Sequence, residues 1–220
     1  MEERPSSNPL IRLKKLLGRL RRRFVLDTYD VFVRPIPSDA RFEAPAGYVF
    51  RFGTPADIEG CDPRHTELDE RERRLGVLRL GFGHRVVLAL AGETVVFSMW
   101  INPRHLNVPG LMKRALGPQQ WFIYKAFTSP EHRGKKLYEN GLRFVLSEMR
   151  AAGRAELVGY AHVKKAVSRK GLAALEFRSA GRVTRLDWPC LTRTFLSKEL
   201  RSSFPREVPP SGALSSPSAR

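Results

Sequence analysis

The sequence predicts an α/β domain: a twisted mixed sheet with helices packed over both of its faces. Two β-rich apolar runs, Arg85–Ala91 and Thr94–Ile101, meet across Gly92 and Glu93, a two-residue connection that reads as an antiparallel hairpin. An aromatic strand, Trp121–Thr128, is followed by a helical stretch from Gly134 to about Ala152 and by a further strand, Ala155–Ala161. Elements that alternate in this way pack as a sheet covered by helices. With 42% hydrophobic and 10% aromatic residues in 220, the chain holds enough apolar side chain for one real core.

Taken in order, Tyr29–Arg34 and Tyr48–Phe52 read as extended, and Thr54–Cys61 and Thr66–Gly81 as helical. After the hairpin, Asn102–Gln120 reads as a loop, broken by Pro103, Pro109, Gly110 and Pro118. Gly153 ends the helix behind the aromatic strand. Val163–Leu175 reads as a helix, and Phe177–Trp188 as one or two closing strands.

The body of the domain is placed at residues 29–200, between a basic segment, 1–28, and a tail, 201–220. In the basic segment Asn8 can cap a helix and Pro9 suits its first position. Leu10, Leu13, Leu17, Leu20 and Phe24 then recur at three- and four-residue intervals. Arg12, Lys14, Lys15, Arg19, Arg21, Arg22 and Arg23 fill the rest of the surface, with no acid among them. Residues 8–24 therefore read as a basic amphipathic helix. Three uses stay open: lying in an anionic membrane interface, docking on its own domain, or serving as an organelle presequence, the last weakened by Glu2 and Glu3. From Ser202 the chain is rich in Ser and Pro without apolar periodicity and reads as disordered.

The 39 Lys+Arg against 22 Asp+Glu leave a formal charge of +17, which calls for a polyanionic partner. Nucleic acid is the weaker choice, since neither the aromatic sheet signature of an RNA-binding domain nor a helix-turn-helix pattern is present. Cys61 and Cys190 stand far apart, with no His or Cys at metal-ligand spacing. No metal and no disulfide is expected, and a reduced, cytoplasmic setting is the default. No apolar run approaches the roughly 20 residues of a spanning helix.

Chemistry concentrates in Phe122–Leu146. A strand that stops at Pro130 and turns through Arg133, Gly134, Lys135 and Lys136 aims several backbone N–H groups at one point, at a helix N-terminus. Such a turn suits phosphate oxygens. Arg133, Lys135 and Lys136 add charge-assisted contacts appropriate to a pyrophosphate.

This stretch resembles the GNAT acyl-CoA N-acyltransferases, whose core motif reads roughly P-E-x-R-G-x-G-x-G/A. Pro130, Glu131, Arg133 and Gly134 match it, while Lys136 and Tyr138 replace the next two small positions. Further on, where the family has N-x-x-S and then G-F, the chain has Lys165, Ser168, Glu176 and Phe177, of which the serine and the phenylalanine agree. The order of elements from Tyr48 to Trp188 also fits.

The resemblance implies acyl-CoA as co-substrate, held by Arg133, Gly134, Lys135, Lys136, Leu137, Tyr138 and Ser168. The main chain at Phe127 and Thr128 would be the oxyanion and cofactor contact. It implies an amine acceptor; the basic helix, if it lies on a membrane, suggests a lipid-linked or sphingoid-type amine or a sugar amine of a surface polysaccharide, and the resemblance does not select among these. An acidic acyl carrier protein is an alternative donor, by charge alone. The tyrosine that often protonates the leaving thiolate falls at Leu172 here, so Tyr124, Tyr160 and His162 become the candidates for moving protons. His65, His84, His105 and His132 share no spacing and read as surface or loop residues. The basic helix would place such an enzyme on the inner face of a membrane. The competing reading is a catalytically inactive module of this fold that uses its basic surface for binding.

Overall fold

The computed structural model describes residues 25–62, 67–188 and 191–204. The expected helix over 8–24 and the tail from residue 205 onward lie outside the described residues.

The chain runs through β1 (Val25–Pro35), β2 (Val49–Phe52), α1 (Pro55–Gly60), α2 (Glu70–Gly81), β3 (Arg85–Ala91), β4 (Thr94–Asn102), β5 (His105–Val108) and β6 (Met112–Ala115). It continues with β7 (Gln120–Thr128), α3 (Leu137–Ala151), β8 (Glu156–His162), α4 (Ala166–Ala174), β9 (Arg178–Trp188), β10 (Leu191–Leu196) and α5 (Lys198–Ser203). Eight strands form one sheet in the order β10-β9-β1-β8-β7-β4-β3-β2, and β5 and β6 pair as a separate hairpin. Only β7 and β8 pair in parallel; the other neighbours in the large sheet are antiparallel. The α/β class and the mixed sheet are as the sequence predicts.

The pleat divides the apolar residues between two layers. Val87, Ala89, Phe97, Met99, Ile101, Trp121, Ile123 and Leu157 face one side, where α3 lays Leu142, Val145, Leu146 and Met149 against them. Gly141 lets α3 come close: a Cβ there would stand 2.6 Å from the Phe97 ring. On the opposite side, Val86, Leu88 and Trp100 pack with Ile58 and Leu68, while Val31, Phe122 and Val158 pack with the β5–β6 hairpin through Leu106 and Val108.

Local chemistry sets the helix starts. Thr54 and Asp57 close a reciprocal cap on α1, and Asp57 also takes both Arg51 nitrogens at 2.7 and 2.6 Å. That guanidinium, outweighing the cost of burial, holds the Asp57 carboxyl well below the usual carboxylate range.

Five expectations need correction. Residues 201–204, expected in the disordered tail, are folded: Arg201–Ser203 close α5 and Phe204 is buried in the core. The helix expected from Thr66 begins at Glu70, because the Asp69 carboxylate accepts the Glu72 N–H at 2.8 Å and caps it there; Thr66 itself is outside the described residues. The helix expected from Gly134 begins at Leu137, because Gly134 and Lys136 both take left-handed backbone. Asn102–Gln120 is not all loop, since it holds the β5–β6 hairpin, started by the Asn102 carboxamide accepting from the Arg104 and His105 N–H groups. The first strand begins at Val25, earlier than Tyr29, and lies inside the sheet between β8 and β9.

Candidate active site

Strands β7 and β8 pair only from Gln120↔Glu156 to Phe122↔Val158. Beyond that point β7 follows β4 as far as Phe97↔Thr128, while β8 follows β1 as far as Tyr29↔His162. The two strands of the parallel pair thus diverge, and a wedge opens between Ile123–Thr128 on β7 and Gly159–His162 on β8. Among the described residues no strand pairs with the wedge side of β7 over Ile123–Thr128, which leaves main-chain groups near Phe127 and Thr128 available to an extended ligand.

Lys125 stands at an irregularity in β7. Its φ is +48°, and the register with β4 slips there, Met99 of β4 facing both Lys125 and Ala126 of β7. Such a bulge re-aims the neighbouring backbone and side chains. The Lys125 ammonium binds the Glu72 carboxylate at 2.5 Å, and Arg79 meets the same acid at 3.1 Å. Lys125 and then Arg79 hold the Glu72 carboxyl below its ordinary value.

At the far end of β7 the chain turns through Pro130–His132 into Arg133–Lys136. The turn is pinned from behind. Ser129 is fully buried and donates its N–H to the Val96 carbonyl at 2.9 Å, and the His132 ring meets the Tyr48 hydroxyl at 3.0 Å. Arg133, Gly134, Lys135 and Lys136 stay exposed. Gly134 (φ +79°) and Lys136 (φ +57°) take left-handed backbone after an extended Arg133, and fold the chain into a tight, exposed cationic concavity. Helix α3 opens without a side-chain cap, which leaves its first N–H groups to other acceptors. The Arg133 guanidinium leans over the Thr128 carbonyl at 3.4 Å.

These residues fit a pyrophosphate in kind: three cations and a glycine follow one another on an exposed turn, and the first acid in α3, Glu139, is turned to Arg143 at 2.9 Å. Leu137 and Tyr138 can offer main chain only. Leu137 is core, and the Tyr138 ring packs against the core and lies 4.0 Å from a Cβ at Gly171, its phenol pushed up to about 12 by burial. Ser168 is exposed in the first turn of α4, and Leu172, at the position the resemblance gives to a proton-donating tyrosine, is buried in the core.

Tyr124 and Tyr160 stand on opposite arms of the wedge and share a sheet face with Phe122 between them, both rings 5.7 Å from it. Tyr29 continues the row at 5.6 Å from Tyr160, and His162 meets Tyr29 edge-on at 4.9 Å. The two ring nitrogens of His162 are engaged: Nδ1 accepts from the Lys164 N–H at 3.0 Å, and Nε2 meets Asp27 at 2.9 Å. That leaves Tyr124 and Tyr160 as the candidates open to a reactant.

The residue the sequence does not advertise is His84. Its Nδ1 lies 2.6 Å from the Tyr124 hydroxyl, in a half-buried site behind the wedge. Burial first, then the charges of Arg79, His105 and Arg104, keep the imidazole below its usual range. Burial pushes the Tyr124 phenol up to about 12. In neutral solution the phenol is therefore protonated and donates to an unprotonated Nδ1, with the ring proton on Nε2. Nothing in the spacing of His84 and Tyr124 signals the pair, because β3, β4 and β7 have to assemble before the two meet.

No protein-family model matches the sequence, and no curated protein matches it. Solved structures do. A Novosphingobium aromaticivorans protein described as an acetyltransferase of the GNAT family aligns over 73% of this chain with a TM-score of 0.51 and 19% identity, and this chain spans 63% of it. A glucosamine N-acetyltransferase region in a fungal multi-domain β-N-acetylglucosaminidase aligns over 87% of this chain with a TM-score of 0.53 and 10% identity, and this chain spans 24% of that protein. A Drosophila protein aligns over 81% with a TM-score of 0.53 and 11% identity, and this chain spans 57% of it. The likeness is one of fold: with its mixed central sheet flanked by helices, the chain has the fold of the GNAT N-acyltransferases.

Proposed function

We propose that the chain is an N-acyltransferase that moves an acyl group from a coenzyme A thioester, or from an acyl carrier protein, to an amine. The observation that carries this reading is the wedge between β7 and β8, which ends at the cationic concavity of Arg133–Lys136. A diphosphate at the turn would send its attached chain along the wedge side of β7, past the main chain of Thr128 and Phe127, toward the bulge at Lys125. The thioester would then lie beside Tyr124.

In the reaction the amine nitrogen attacks the thioester carbon, the C–S bond breaks, and the amine loses one proton while the thiolate gains one. The Tyr124 hydroxyl can take the amine proton as it passes its own to His84 Nδ1, and the reverse movement returns a proton to the sulfur. Tyr160, across the wedge, orients the acceptor. His162 holds the β1–β8 edge through Asp27. The acceptor classes are a lipid-linked amine, a sphingoid-type amine and a sugar amine, the last also the substrate type in the name of the fungal neighbour. We place the protein in the cytoplasm, peripheral on the inner membrane face.

One observation favours a second reading, a binding module of this fold without catalysis: the acid position is a buried leucine, Leu172. Calorimetry with acetyl-CoA, a long-chain acyl-CoA and free coenzyme A, with ATP as a polyanion control, separates the readings. Binding that depends on the acyl group supports the transferase and identifies its donor. Coenzyme A bound no better than ATP removes acyl-CoA as donor and turns the search to carrier proteins and to non-catalytic partners.

A further inference from the structure

Strands β1, β9 and β10 carry an apolar face at the edge of the sheet. The register sets Leu26 opposite Leu186 and Leu186 opposite Arg193, Thr28 opposite Thr184 and Thr184 opposite Phe195, and Trp188 opposite Leu191. Directly opposed residues share a face, and the Thr28 and Thr184 hydroxyls, 3.2 Å apart, fix which one. That face therefore presents Leu26, Leu186, Trp188, Leu191 and Phe195 together. Leu26, Trp188, Leu191 and Phe195 are 52, 51, 47 and 52% exposed. Large apolar side chains gathered in one exposed patch mark a contact surface.

The charges on these strands are sorted by face. Asp27 and Asp187 point to the other side, where they meet His162 and Arg185, both at 2.9 Å. Asp30 is on the apolar face but is buried and neutralised by Arg182 at 2.7 Å and Arg169 at 3.1 Å. Arg193 stands exposed among the apolar residues. Exposed Lys164, Lys165 and Lys170 lie at and just before α4, whose approach is tied to β1 by the Val163 N–H donating to the Thr28 carbonyl at 3.0 Å. The sequence that leads into β1 adds seven more basic residues between Arg12 and Arg23 and no acid.

We propose that this face of β1, β9 and β10 rests on an anionic phospholipid surface, its leucines and aromatics at the acyl boundary and its cations on the headgroups. Charge selects this occupant. Residues 8–24 folded back over the face would bring their basic side chains against Arg193 and the α4 lysines, whereas an anionic bilayer accepts both sets of cations and both apolar stripes. The inference stands on the sheet register and is independent of acyl transfer.

The full chain carries its own reporter, because Trp100 and Trp121 are buried and Trp188 is the exposed tryptophan. Vesicles of phosphatidylcholine alone, and of phosphatidylcholine with equal parts phosphatidylglycerol, are titrated by fluorescence and by co-sedimentation. The expected result is binding to the anionic vesicles with a blue shift of Trp188 emission, weakened by salt and absent with phosphatidylcholine. A Trp188→Ser/Phe195→Ser double variant should bind on the order of tenfold more weakly, since two interfacial aromatics are lost. Arg193→Glu should bind more weakly at low salt and converge with wild type at high salt. Coenzyme A affinity should be the same in all three proteins, so a failure here and a failure of the acyltransferase reading are told apart. The proposal is overturned by no binding to anionic vesicles, or by binding with Trp188 unshifted and both variants at wild-type strength. It is equally overturned by a lipid-free blue shift that grows with protein concentration, which means a second copy, or one that vanishes when residues 1–24 are removed, which means an internal cover.

Discussion

At the scale of single residues, Arg133 and Gly134 carry the basic turn, whose cations and following helix are consecutive in the chain. Arg133 is exposed, and among the described residues its guanidinium bonds the Thr128 carbonyl at 3.4 Å, a long contact, so Arg133→Ala should leave the melting temperature in place. Loss of one charge-assisted phosphate contact, about 1.5–3 kcal/mol, should weaken coenzyme A binding roughly tenfold to a hundredfold by calorimetry. Unchanged affinity would remove the turn as the phosphate site. His84 was illegible, because its partner Tyr124 is supplied by sheet register. Its folded value is depressed mainly by burial, while the unfolded chain titrates near about 6.5. The unfolded state therefore takes this proton first: the contribution is complete above about 6.5 and is lost as pH falls through that value, until the folded imidazole also protonates. Urea midpoints measured from neutral to mildly acidic pH should fall less steeply in His84→Gln than in wild type. Parallel curves would mean that the imidazole titrates normally in place.

At the scale of elements, patterns that repeat within one segment were read correctly and those that rest on partners were not. The β3–β4 hairpin follows from two apolar runs and the Gly92 turn, and α3 from its single apolar stripe. The β5–β6 hairpin, two four-residue strands in a segment full of Pro and Gly, carries too little periodicity to be seen; its form comes from Leu106 and Val108 packing beneath Phe122 and Val158. The seating of α3 gives a test in which two effects oppose each other. Gly141 in a helix interior costs roughly 1 kcal/mol relative to alanine, so propensity alone makes Gly141→Ala stabilising. The added Cβ would stand 2.6 Å from Phe97 Cε1, and that ring is fully buried, with Phe50 6.3 Å away. Overpacking of this kind costs about 1–3 kcal/mol. The sum is a net loss of up to about 2 kcal/mol, a drop of several degrees in melting temperature, with the loss largest if α3 cannot shift. A variant that melts higher than wild type would show that α3 is not held against β4 as closely as the structure has it.

At the scale of the whole molecule, composition announced a basic protein and the order of elements a mixed sheet, but neither gives the place of β1. The sequence of Tyr29–Arg34 reads as extended, with nothing near it to give its neighbours. In the sheet it lies between β8 and β9, paired with one over Tyr29–Pro35 and with the other over Val25–Val33. It buries Val31 and Phe32 in opposite layers, and its Asp30 and Asp27 anchor Arg182 and His162. Without β1, β8 would lose its outer neighbour, the wedge would lose its far arm, and β9, β10 and α5 would join no other strand of the sheet. Two ladders and two core residues outweigh the roughly 5–15 kcal/mol by which a domain is stable. Removal of residues 1–35 should therefore abolish cooperative thermal unfolding and coenzyme A binding together, although every residue of the basic turn remains in the chain. If the shortened protein still melts cooperatively and binds with wild-type affinity, the wedge is held by β4 and β7 alone, and the place of β1 in the sheet is incidental to the site.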